Sequence, residues 1–268
     1  MSRELRVLPV EGMPEVREGD RVGKLVAERA ELQPGDVVVI SQKIVSKAEG
    51  RVVRLDSVNP SEEARELAKK LDKEPALVEL VLSESREVLR SDRVLITETH
   101  HGFVCANAGI DSSNLPENRT ACLLPKDPDA SARQIRAELE PPAEEPGMGV
   151  AGPSPLLSAD TQPRLPPAVV IADSFGRAWR LGQAEVAIGC AGLQPLDDWR
   201  GRQDASGREL SATVIAIADE VAAAADLVRR KDEGLPVVIV CGLGRYVGAE
   251  DGPGAAALRR PPEEDLFR

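Results

Sequence analysis

Aromatic side chains are scarce in this chain of 268 residues, which holds three phenylalanines, two tryptophans and one tyrosine. A core formed by this sequence must therefore be aliphatic. Single-stranded nucleic acids are also disfavoured as partners, because proteins commonly bind them by stacking bases on aromatic rings. The formal net charge of −11 at pH 7 repels a polyphosphate backbone as well. We therefore expect no nucleic-acid partner, although local arginine clusters can still bind a small phosphate ligand.

Long hydrophobic runs and paired cysteines are missing too. No stretch approaches the roughly 20 apolar residues that cross a membrane, and the first residues, MSRELRVLPVEGMPEV, contain no apolar signal-peptide core. The sequence has four widely spaced cysteines, Cys105, Cys122, Cys190 and Cys241. Three of them lie in apolar or small-residue runs, where a free thiol packs as a small hydrophobic group. We expect a cytoplasmic protein with reduced thiols and no membrane contact.

Several motifs for nucleotide binding and covalent catalysis are also absent. There is no G-x-x-x-x-G-K-[ST] sequence, so any bound nucleotide is not held by a P-loop. Neither a G-x-S-x-G turn nor a plausible Cys–His nucleophile pair is present, which disfavours acyl-enzyme chemistry. Gly242 and Gly244 follow a predicted strand, but the third glycine comes one residue late and no helix follows. We therefore reject a Rossmann dinucleotide site.

The elements that are present predict an α+β fold in a soluble globular protein. The chain is 42% hydrophobic and 29% charged, as such proteins usually are. Short apolar runs predict strands at residues 37–40, 94–99, 168–172 and 237–240. Apolar residues at helical spacing predict helices over residues 20–30, 61–71, 75–87, 130–139 and 213–230. We expect mixed sheets with packed helices.

Composition divides the chain into a main domain and two unusual segments. Residues 1–249 form the predicted domain, and residues 250–268 form a polar, proline-bearing tail that we expect to be frayed. Residues 140–167 are rich in proline and glycine and show no periodicity, which predicts a flexible surface insertion. This insertion is either an ornament or a lid over the region near Asp173, and its composition alone favours the ornament.

The stretch with the densest polar chemistry begins at Asp173, directly after the predicted strand at residues 168–172. Ser174 follows, and two arginines lie a few residues further on, Arg177 and Arg180. Ligands of α/β proteins commonly bind just beyond the carboxyl ends of parallel strands. A carboxylate, a hydroxyl and two guanidinium groups at such a position suit a metal-bound phosphate.

Two other stretches carry similar groups. Residues 111–114, Asp-Ser-Ser-Asn, are dense in oxygen ligands, although such Asx-rich turns are also common without a ligand. Residues 41–50 follow a predicted strand with two lysines and two hydroxyls. They are either a phosphate-binding loop or a continuing strand with solvated lysines, with neither favoured. The adjacent His100 and His101 point to opposite faces of a strand, which argues against a shared metal ion.

These residue types indicate a metal-dependent enzyme that acts on a phosphorylated ligand. Carboxylate, hydroxyl and amide oxygens are the hard ligands that Mg²⁺ or Mn²⁺ prefers. Lysine and arginine neutralise phosphate oxygens, and phosphoryl transfer depends mainly on positioning and charge stabilisation. The residue types alone do not identify the substrate.

Six segments of the sequence, considered together, resemble the coenzyme F-420-0:L-glutamate ligase family, also called the gamma-glutamyl ligases of the deazaflavin coenzyme. In order they are PVEGMPEVREGD, GDVVVISQKIVSKAEGRVV, NPSEEARELAKKL, FVCANAGIDSSN, LLPKDPDASA and the block from DSFGRAWRLG to IADE. The resemblance covers about residues 5–244, apart from the proline-rich insertion. It implies an α+β fold that forms an intertwined homodimer.

The resemblance also implies a reaction. In this family, GTP phosphorylates a carboxylate of the deazaflavin precursor, and the amine of L-glutamate attacks the acyl phosphate, so that GDP and phosphate are released. Further glutamates can follow through γ-linkages. The implied cofactors are Mg²⁺ or Mn²⁺, as two divalent ions, together with K⁺, and GTP is a co-substrate.

Matching positions supply the implied site residues. Asp111 and Asp173 would hold the divalent ions, with Ser174 beside Asp173 as a further ligand. The implied GTP contacts are Asn114, Lys47, Gln42 and the turn Gly12-Met13-Pro14-Glu15. The resemblance leaves the roles of Arg177 and Arg180 open, and it assigns no catalytic side chain.

Two positions depart from the family's pattern. Val228-Arg229-Arg230 stands where the family has a Met-Gly-Gln-like segment, so Arg230 takes the place of a glutamine that approaches the metal and nucleotide. A cation there implies either that the second metal is lost or that Arg230 contacts phosphate directly. Gln42 stands where family members commonly carry Ser or Thr. The alternatives are a relative that binds the coenzyme without turnover, or a ligase that joins glutamate to a different carboxylic acid.

Overall fold

Strands and helices alternate irregularly along the chain. The computed structural model describes residues 4–112, 119–139, 165–230 and 232–265. Within these ranges the strands are β1 (Arg6–Pro9), β2 (Val37–Ser41), β3 (Val52–Arg54), β4 (Ser85–Ser91), β5 (Leu95–Thr99), β6 (Val104–Ala106), β7 (Thr120–Cys122), β8 (Ala168–Arg177), β9 (Arg180–Ala191), β10 (Asp197–Asp198), β11 (Val214–Ile215) and β12 (Val237–Cys241). The α-helices are α1 (Val22–Ala27), α2 (Gln42–Ala48), α3 (Glu62–Leu71), α4 (Pro75–Ser83), α5 (Pro128–Leu139) and α6 (Ile217–Asp226).

The main sheet has five strands in the order β1-β12-β2-β8-β9. β2 and β8 are parallel, with Val37 opposite Ala168 and Ser41 opposite Ala172, whereas the other neighbouring pairs of this sheet are antiparallel. Residues 37–40 of β2 are fully buried, because a strand flanks them on each side and helices cover both faces of the sheet. The parallel pairing brings the carboxyl end of β2 next to Ala172, so that Asp173 and Ser174 of β8 lie just beyond that end, where ligands of α/β proteins commonly bind.

Two hydrophobic cores lie on opposite faces of this sheet, because alternate residues of a strand point to opposite sides. One face packs against α1, α2 and α5, with Val38 and Ile171 among its buried residues. The other face packs against α6, with Val39 and Val170 buried. Beside the main sheet lie the smaller sheets β4-β5-β6, β3-β7 and β10-β11, and α3 packs on α4 in a core of its own.

The chain is therefore a mixed α/β protein with several sheets, and the predicted combination of mixed sheets with packed helices is confirmed. The intertwined homodimer stays a prediction. No helix in the described ranges is both long and apolar enough to cross a bilayer.

Residues 41–50 contradict both sequence-based interpretations. Ser41 ends β2 and the next seven residues form α2, so the stretch is neither a loop nor a continuing strand. Ile44 and Val45 are buried in the main core, which fixes one face of the helix. Both residue types favour strands on average, but packing of an apolar helix face outweighs that preference. As a result Lys43 and Lys47 lie four residues apart on one side of a helix.

The segment after Asp173 also differs from the prediction. β8 continues to Arg177 and turns tightly into β9, a twelve-residue strand that the sequence analysis did not identify. Glycine weakens strand propensity, and the glycines of β9 obscured its apolar pattern. Both α4 and α6 are shorter than predicted, and β4 begins two residues after α4 ends.

Residues 250–265 pack against the domain, so the prediction of a frayed tail is wrong for this part. The Asp129 carboxylate accepts hydrogen bonds from the backbone amides of Ala255 at 2.7 Å and Ala256 at 3.1 Å. Arg136 forms an ion pair with Asp251 at 2.9 Å. Two charged residues of α5 therefore hold the segment in place. Of the predicted insertion, residues 140–164 lie outside the described ranges.

Gly189 of β9 allows α5 to approach the sheet closely. A Cβ atom at this position would collide with the backbone carbonyl of Pro128, the first residue of α5. Gly189→Ala should therefore lower the free energy of unfolding by about 1–3 kcal/mol, as overpacking commonly does. Urea denaturation would measure the change. Gly176→Ala is the matched control, since no described atom lies within 4 Å of where its Cβ would be. Equal stability of the two variants would contradict the close approach of α5.

Candidate functional site

A cavity of about 480 Å³ opens at the carboxyl end of β2, beside the residues of β8 that follow Ala172. Segments that are distant in sequence form its walls. The predicted site residues that line it are Met13, Pro14, Glu15, Gln42, Lys47, Asp111, Asp173, Ser174 and Arg230. Lys43, from the stretch considered for phosphate binding, also lines it, as do four charged residues that had no predicted role, namely Glu185, Asp226, Arg229 and Asp232. The fold thus brings most of the predicted residues into one cavity.

α2 supplies a glutamine and two lysines to this cavity. Gln42 is only 2% exposed, and its Oε1 accepts a hydrogen bond from Ser46 Oγ at 2.8 Å. Lys47 Nζ lies 2.6 Å from Glu15 Oε1, which ties α2 to the turn before α1. Lys43 Nζ lies 2.7 Å from an Asp111 carboxylate oxygen. Each lysine therefore has a carboxylate within hydrogen-bonding distance.

Asp111 is held in place through its backbone. Its amide donates to the Cys122 carbonyl oxygen at 3.1 Å, and the Cys122 amide donates back to the Asp111 carbonyl oxygen at 2.7 Å. In the preceding turn, Asn107 and Ala108 have left-handed φ angles of 52° and 53°. Lys73 Nζ donates to Asn107 Oδ1 at 2.9 Å and supports this turn. Left-handed backbone at non-glycine residues is uncommon and clusters at functional sites.

Carboxylates accumulate where β8 pairs with β9. Ser174 lies opposite Glu185 in this ladder, and Ser174 Oγ donates to Glu185 Oε1 at 2.6 Å. Burial, and after it the negative charge of Glu185, raises the pKa of the half-buried Asp173 to about 7. The charge of Asp111 raises this pKa further, whereas Lys43 and the Ser174 backbone amide lower it. The increase therefore comes first from burial and second from the neighbouring carboxylate of Glu185.

Sequence reasoning missed Glu185 and Arg229. Glu185 is 8% exposed, and Arg229 Nη2 lies 3.5 Å from its Oε2. A buried carboxylate in an otherwise apolar strand is an informative signal. It could be recognised only if residues 180–191 were first assigned to a strand. Arg229 falls within the helix predicted over residues 213–230, but α6 ends at Asp226, so the predicted helical spacing did not indicate that its side chain reaches the cavity.

The cavity and the fold around it correspond to a known family. A model described as F420-0:gamma-glutamyl ligase matches residues 12–145 and 159–242. The chain belongs to this family. Coenzyme F420:L-glutamate ligase of Methanothermobacter thermautotrophicus is 42% identical, over 98% of this chain and 99% of that protein. Proteins of the same name from Methanopyrus kandleri and Methanocaldococcus jannaschii are 42% and 40% identical, with at least 98% of each chain covered. The resemblance inferred from the sequence is confirmed.

Four of the candidate site residues are not found in the lining of the cavity. Arg177 and Arg180 are exposed at the turn of the β8–β9 hairpin, and Arg177 Nη2 donates to the Leu181 carbonyl oxygen at 2.7 Å. Gly12 is not among the lining residues, and its carbonyl oxygen accepts a hydrogen bond from Arg29 Nε at 2.9 Å. Asn114 lies outside the described residues. The GTP-binding roles of Gly12 and Asn114 stay predictions, and the roles of Arg177 and Arg180 stay open.

The two arginines after α6 point in different directions. Arg230 lines the cavity, but its side chain is 70% exposed and pairs with Glu233 at 3.2 Å. Arg229 is only 9% exposed and is the one that lies beside Glu185. The resemblance seen in the sequence places Arg230 at the position expected for glutamine, whereas in the structure Arg229 is the arginine that lies beside Glu185 of β9.

The donor chemistry of the cavity suits a divalent cation. Asp111, Asp173 and Glu185 offer carboxylate oxygens, Ser174 offers a hydroxyl, and all of these are hard ligands. Burial and the neighbouring carboxylates raise the pKa of Asp173, and a bound cation would favour its charged form. Within the described ranges, no three His, Cys, Asp or Glu side chains already converge as a ligand set. The metal ligands therefore stay a prediction, supported by donor type and charge.

Removing one neighbouring charge should lower the pKa of Asp173. We expect Glu185→Gln to lower it by about one unit, because the charge of Glu185 is the largest cause after burial. Asp111→Asn should lower it less, since Asp111 contributes less to the increase. Carboxyl ¹³C NMR titration would measure both shifts, with the Asp173 signal assigned by its absence in Asp173→Asn. A larger shift in Asp111→Asn would contradict the arrangement described.

Proposed function

We propose that this protein is a GTP-dependent ligase that joins L-glutamate to the deazaflavin coenzyme precursor, F420-0, through an acyl phosphate. The supporting observation is the convergence of lysines and carboxylates in one cavity of a chain that aligns over nearly its whole length with proteins named coenzyme F420:L-glutamate ligase. The products are GDP, phosphate and the glutamylated coenzyme. Repetition of the same chemistry adds further γ-linked glutamates.

In the proposed first step, a carboxylate oxygen of the precursor attacks the γ-phosphorus of GTP. The bond from that phosphorus to the β–γ bridging oxygen breaks, and GDP leaves. Both reactants are anions, so the site must offset their repulsion. Lys43 and Lys47 line the cavity and would neutralise phosphate oxygens. Asp111, Asp173 and Ser174 would hold Mg²⁺ or Mn²⁺, which when bound supplies further charge neutralisation at phosphate.

In the proposed second step, the amine of L-glutamate attacks the carbonyl carbon of the acyl phosphate. An amide bond forms, the carbon–oxygen bond to the phosphate breaks, and the amine loses a proton to the surroundings. Water competes with the amine for the same carbon, so the site must limit its access. Met13, Ile44 and Leu235 form apolar parts of the cavity wall, which favours exclusion of water.

The proposal is tested by incubating the protein with GTP, L-glutamate, the coenzyme precursor and either Mg²⁺ or Mn²⁺. Mass spectrometry should show a product that carries one or more glutamates, with one GDP formed for each glutamate added. Reactions without GTP, with ATP in its place, and with Na⁺ in place of K⁺ test the nucleotide and the monovalent ion. Sedimentation equilibrium tests the homodimer. Absence of product with every metal would overturn the proposal.

A ligase for a different carboxylic acid is the second candidate. The buried Arg229 favours it, because an additional cation at the cavity suits an additional acidic group on the acceptor. Parallel reactions of L-glutamate with other carboxylic acids would distinguish the two activities. Binding of the coenzyme without GTP cleavage would instead indicate a binding protein.

A further inference from the structure

Arg229 combines burial with an incomplete set of hydrogen bonds. It follows α6 and lines the cavity, and its side chain is 9% exposed. A guanidinium group carries five N–H donors and stays charged at any ordinary pH. Buried charges in proteins are normally paired and hydrogen-bonded, because removing them from water is unfavourable. The contacts of Arg229 therefore show whether its charge is already balanced.

Those contacts are few. Its ion pair with Glu185 spans 3.5 Å, which is longer than the 2.7–2.9 Å typical of a strong charge-assisted hydrogen bond. Its Nε atom is buried, and no described residue accepts a hydrogen bond from it. Glu185 also accepts a much shorter hydrogen bond from Ser174 Oγ, at 2.6 Å. Arg229 is thus held near a carboxylate without forming the bidentate pair that its geometry allows.

The other cations of the cavity are bound more closely. Lys43 lies 2.7 Å from Asp111 and Lys47 lies 2.6 Å from Glu15. Arg230 is largely exposed and pairs with Glu233. Arg229 is therefore the buried cation at this cavity whose donors are least used by the described residues, and its planar donor fork matches a carboxylate or a phosphoryl group.

We propose that Arg229 is a specificity-determining residue that binds an oxyanion of one reactant, either a phosphate group of the nucleotide or a carboxylate of an acid substrate. The identity of the reactants rests on the proposed function, whereas the anion site itself does not. Binding of the oxyanion would satisfy the unused donors of Arg229 and leave Glu185 with its hydrogen bond to Ser174. The site is then selective for a ligand whose oxyanion reaches the part of the cavity where Arg229 lies beside Glu185.

The test uses Arg229→Gln and Arg229→Lys in the full chain, with Arg65→Gln as the matched control. Arg65 lies on α3, half exposed, and its contact with Glu62 is 3.7 Å long. Calorimetry would measure the binding of GTP, L-glutamate and tripolyphosphate, each added alone. We expect Arg229→Gln to weaken the binding of one class of ligand, either the phosphates or the carboxylate, at least 10-fold. The affinity for the other class should stay within twofold of the wild-type value. Arg229→Lys should recover part of the loss, because it restores the charge but not the fork.

Thermal unfolding of each variant would show whether a loss of binding comes from a destabilised fold or from the anion site itself. The double variant Arg229→Gln/Glu185→Gln removes both charges of the buried pair, so it should unfold close to the wild-type temperature and still show the selective loss. Unchanged affinities for all three probes in Arg229→Gln, or an equal loss for all three together with a lowered unfolding temperature, would overturn the inference. If Arg229→Gln loses affinity for one class of ligand only, but the wild-type protein forms no glutamylated product, the anion site would be supported and the proposed ligase activity rejected.

Discussion

Replacing Asp173 with asparagine should lower the rate of glutamate ligation by about 10²–10³-fold, the usual effect of removing one electrostatic contact to the reacting groups. The same variant should make the metal-free protein more stable. Burial and the negative charges of Glu185 and Asp111 disfavour the charged form of Asp173, as its pKa of about 7 shows. Asparagine preserves the shape of the side chain and removes the charge, so function and stability should change in opposite directions.

The stability effect has a definite pH dependence. The pKa of Asp173 is about 7 in the folded protein against the ordinary aspartate value of 3.8 in the unfolded chain, so the folded state binds the proton more tightly. The stability that this protonation supplies is fully present below the pKa of Asp173 in the unfolded chain, and it is lost as pH rises through the folded-state pKa of about 7. Above that pH, the free energy of unfolding of Asp173→Asn should exceed that of the wild type by about 1–4 kcal/mol, since one pKa unit corresponds to about 1.4 kcal/mol.

Thermal unfolding in the presence of a chelator, at pH 5 and pH 8, would measure this difference. Asp92→Asn is the matched control, because Asp92 is exposed and far from the lining of the cavity. The control should change neither activity nor stability. A variant Asp173→Asn that keeps wild-type activity, or that loses stability at pH 8, would show that Asp173 is not the charged group of the site.

Removal of divalent ions should reduce ligation to the background rate, and restoring Mg²⁺ or Mn²⁺ should rescue it. The oxygen donors around Asp173 match these ions, and negative charge accumulates there. An ion and a proton compete for the same carboxylate. Below pH 7 the apparent affinity for the ion should therefore fall by about tenfold per pH unit, as expected when one proton must leave first.

Ion affinity is best followed by the increase in unfolding temperature that Mg²⁺ or Mn²⁺ produces between pH 5.5 and 8.5. The increase should be largest above pH 7 and should disappear in Asp173→Asn. Ca²⁺ serves as a comparison, because it accepts looser and larger oxygen cages than Mg²⁺ does. An increase that does not vary with pH, or that persists in Asp173→Asn, would place the ion elsewhere.

Much of the main sheet could be predicted from the sequence, because a buried parallel strand has a continuous apolar sequence. Residues 37–40 and 168–172 are of this kind, and both were identified correctly. α2 and β9 could not be predicted in the same way. α2 contains residues that favour strands and becomes helical because one of its faces packs on the core. β9 contains Gly189, and the close approach of α5 that this glycine allows is visible only in three dimensions.

Some residues of the candidate site could likewise be predicted from the sequence, and others could not. Asp111, Asp173 and Lys47 could be found because carboxylates and lysines after predicted strands indicate phosphate chemistry, and because whole segments resembled a known family. Glu185 and Arg229 depend on pairing across the β8–β9 ladder and on the course of the chain after α6. Local sequence contains no information about either contact. Long-range contacts therefore decide which of two adjacent arginines, Arg229 or Arg230, faces the buried carboxylates.

The parallel pairing of β2 with β8 also affects how the site forms during folding. The whole segment from Gln42 to Pro167 lies between these two strands, and closing so long a loop is entropically unfavourable and slow. α3, α4 and the β4–β5 hairpin involve only short loops and can form without that closure. Lys43 and Asp173 meet only when β2 and β8 pair. A refolding chain should therefore regain most of its helical structure before it regains the ability to bind ligands.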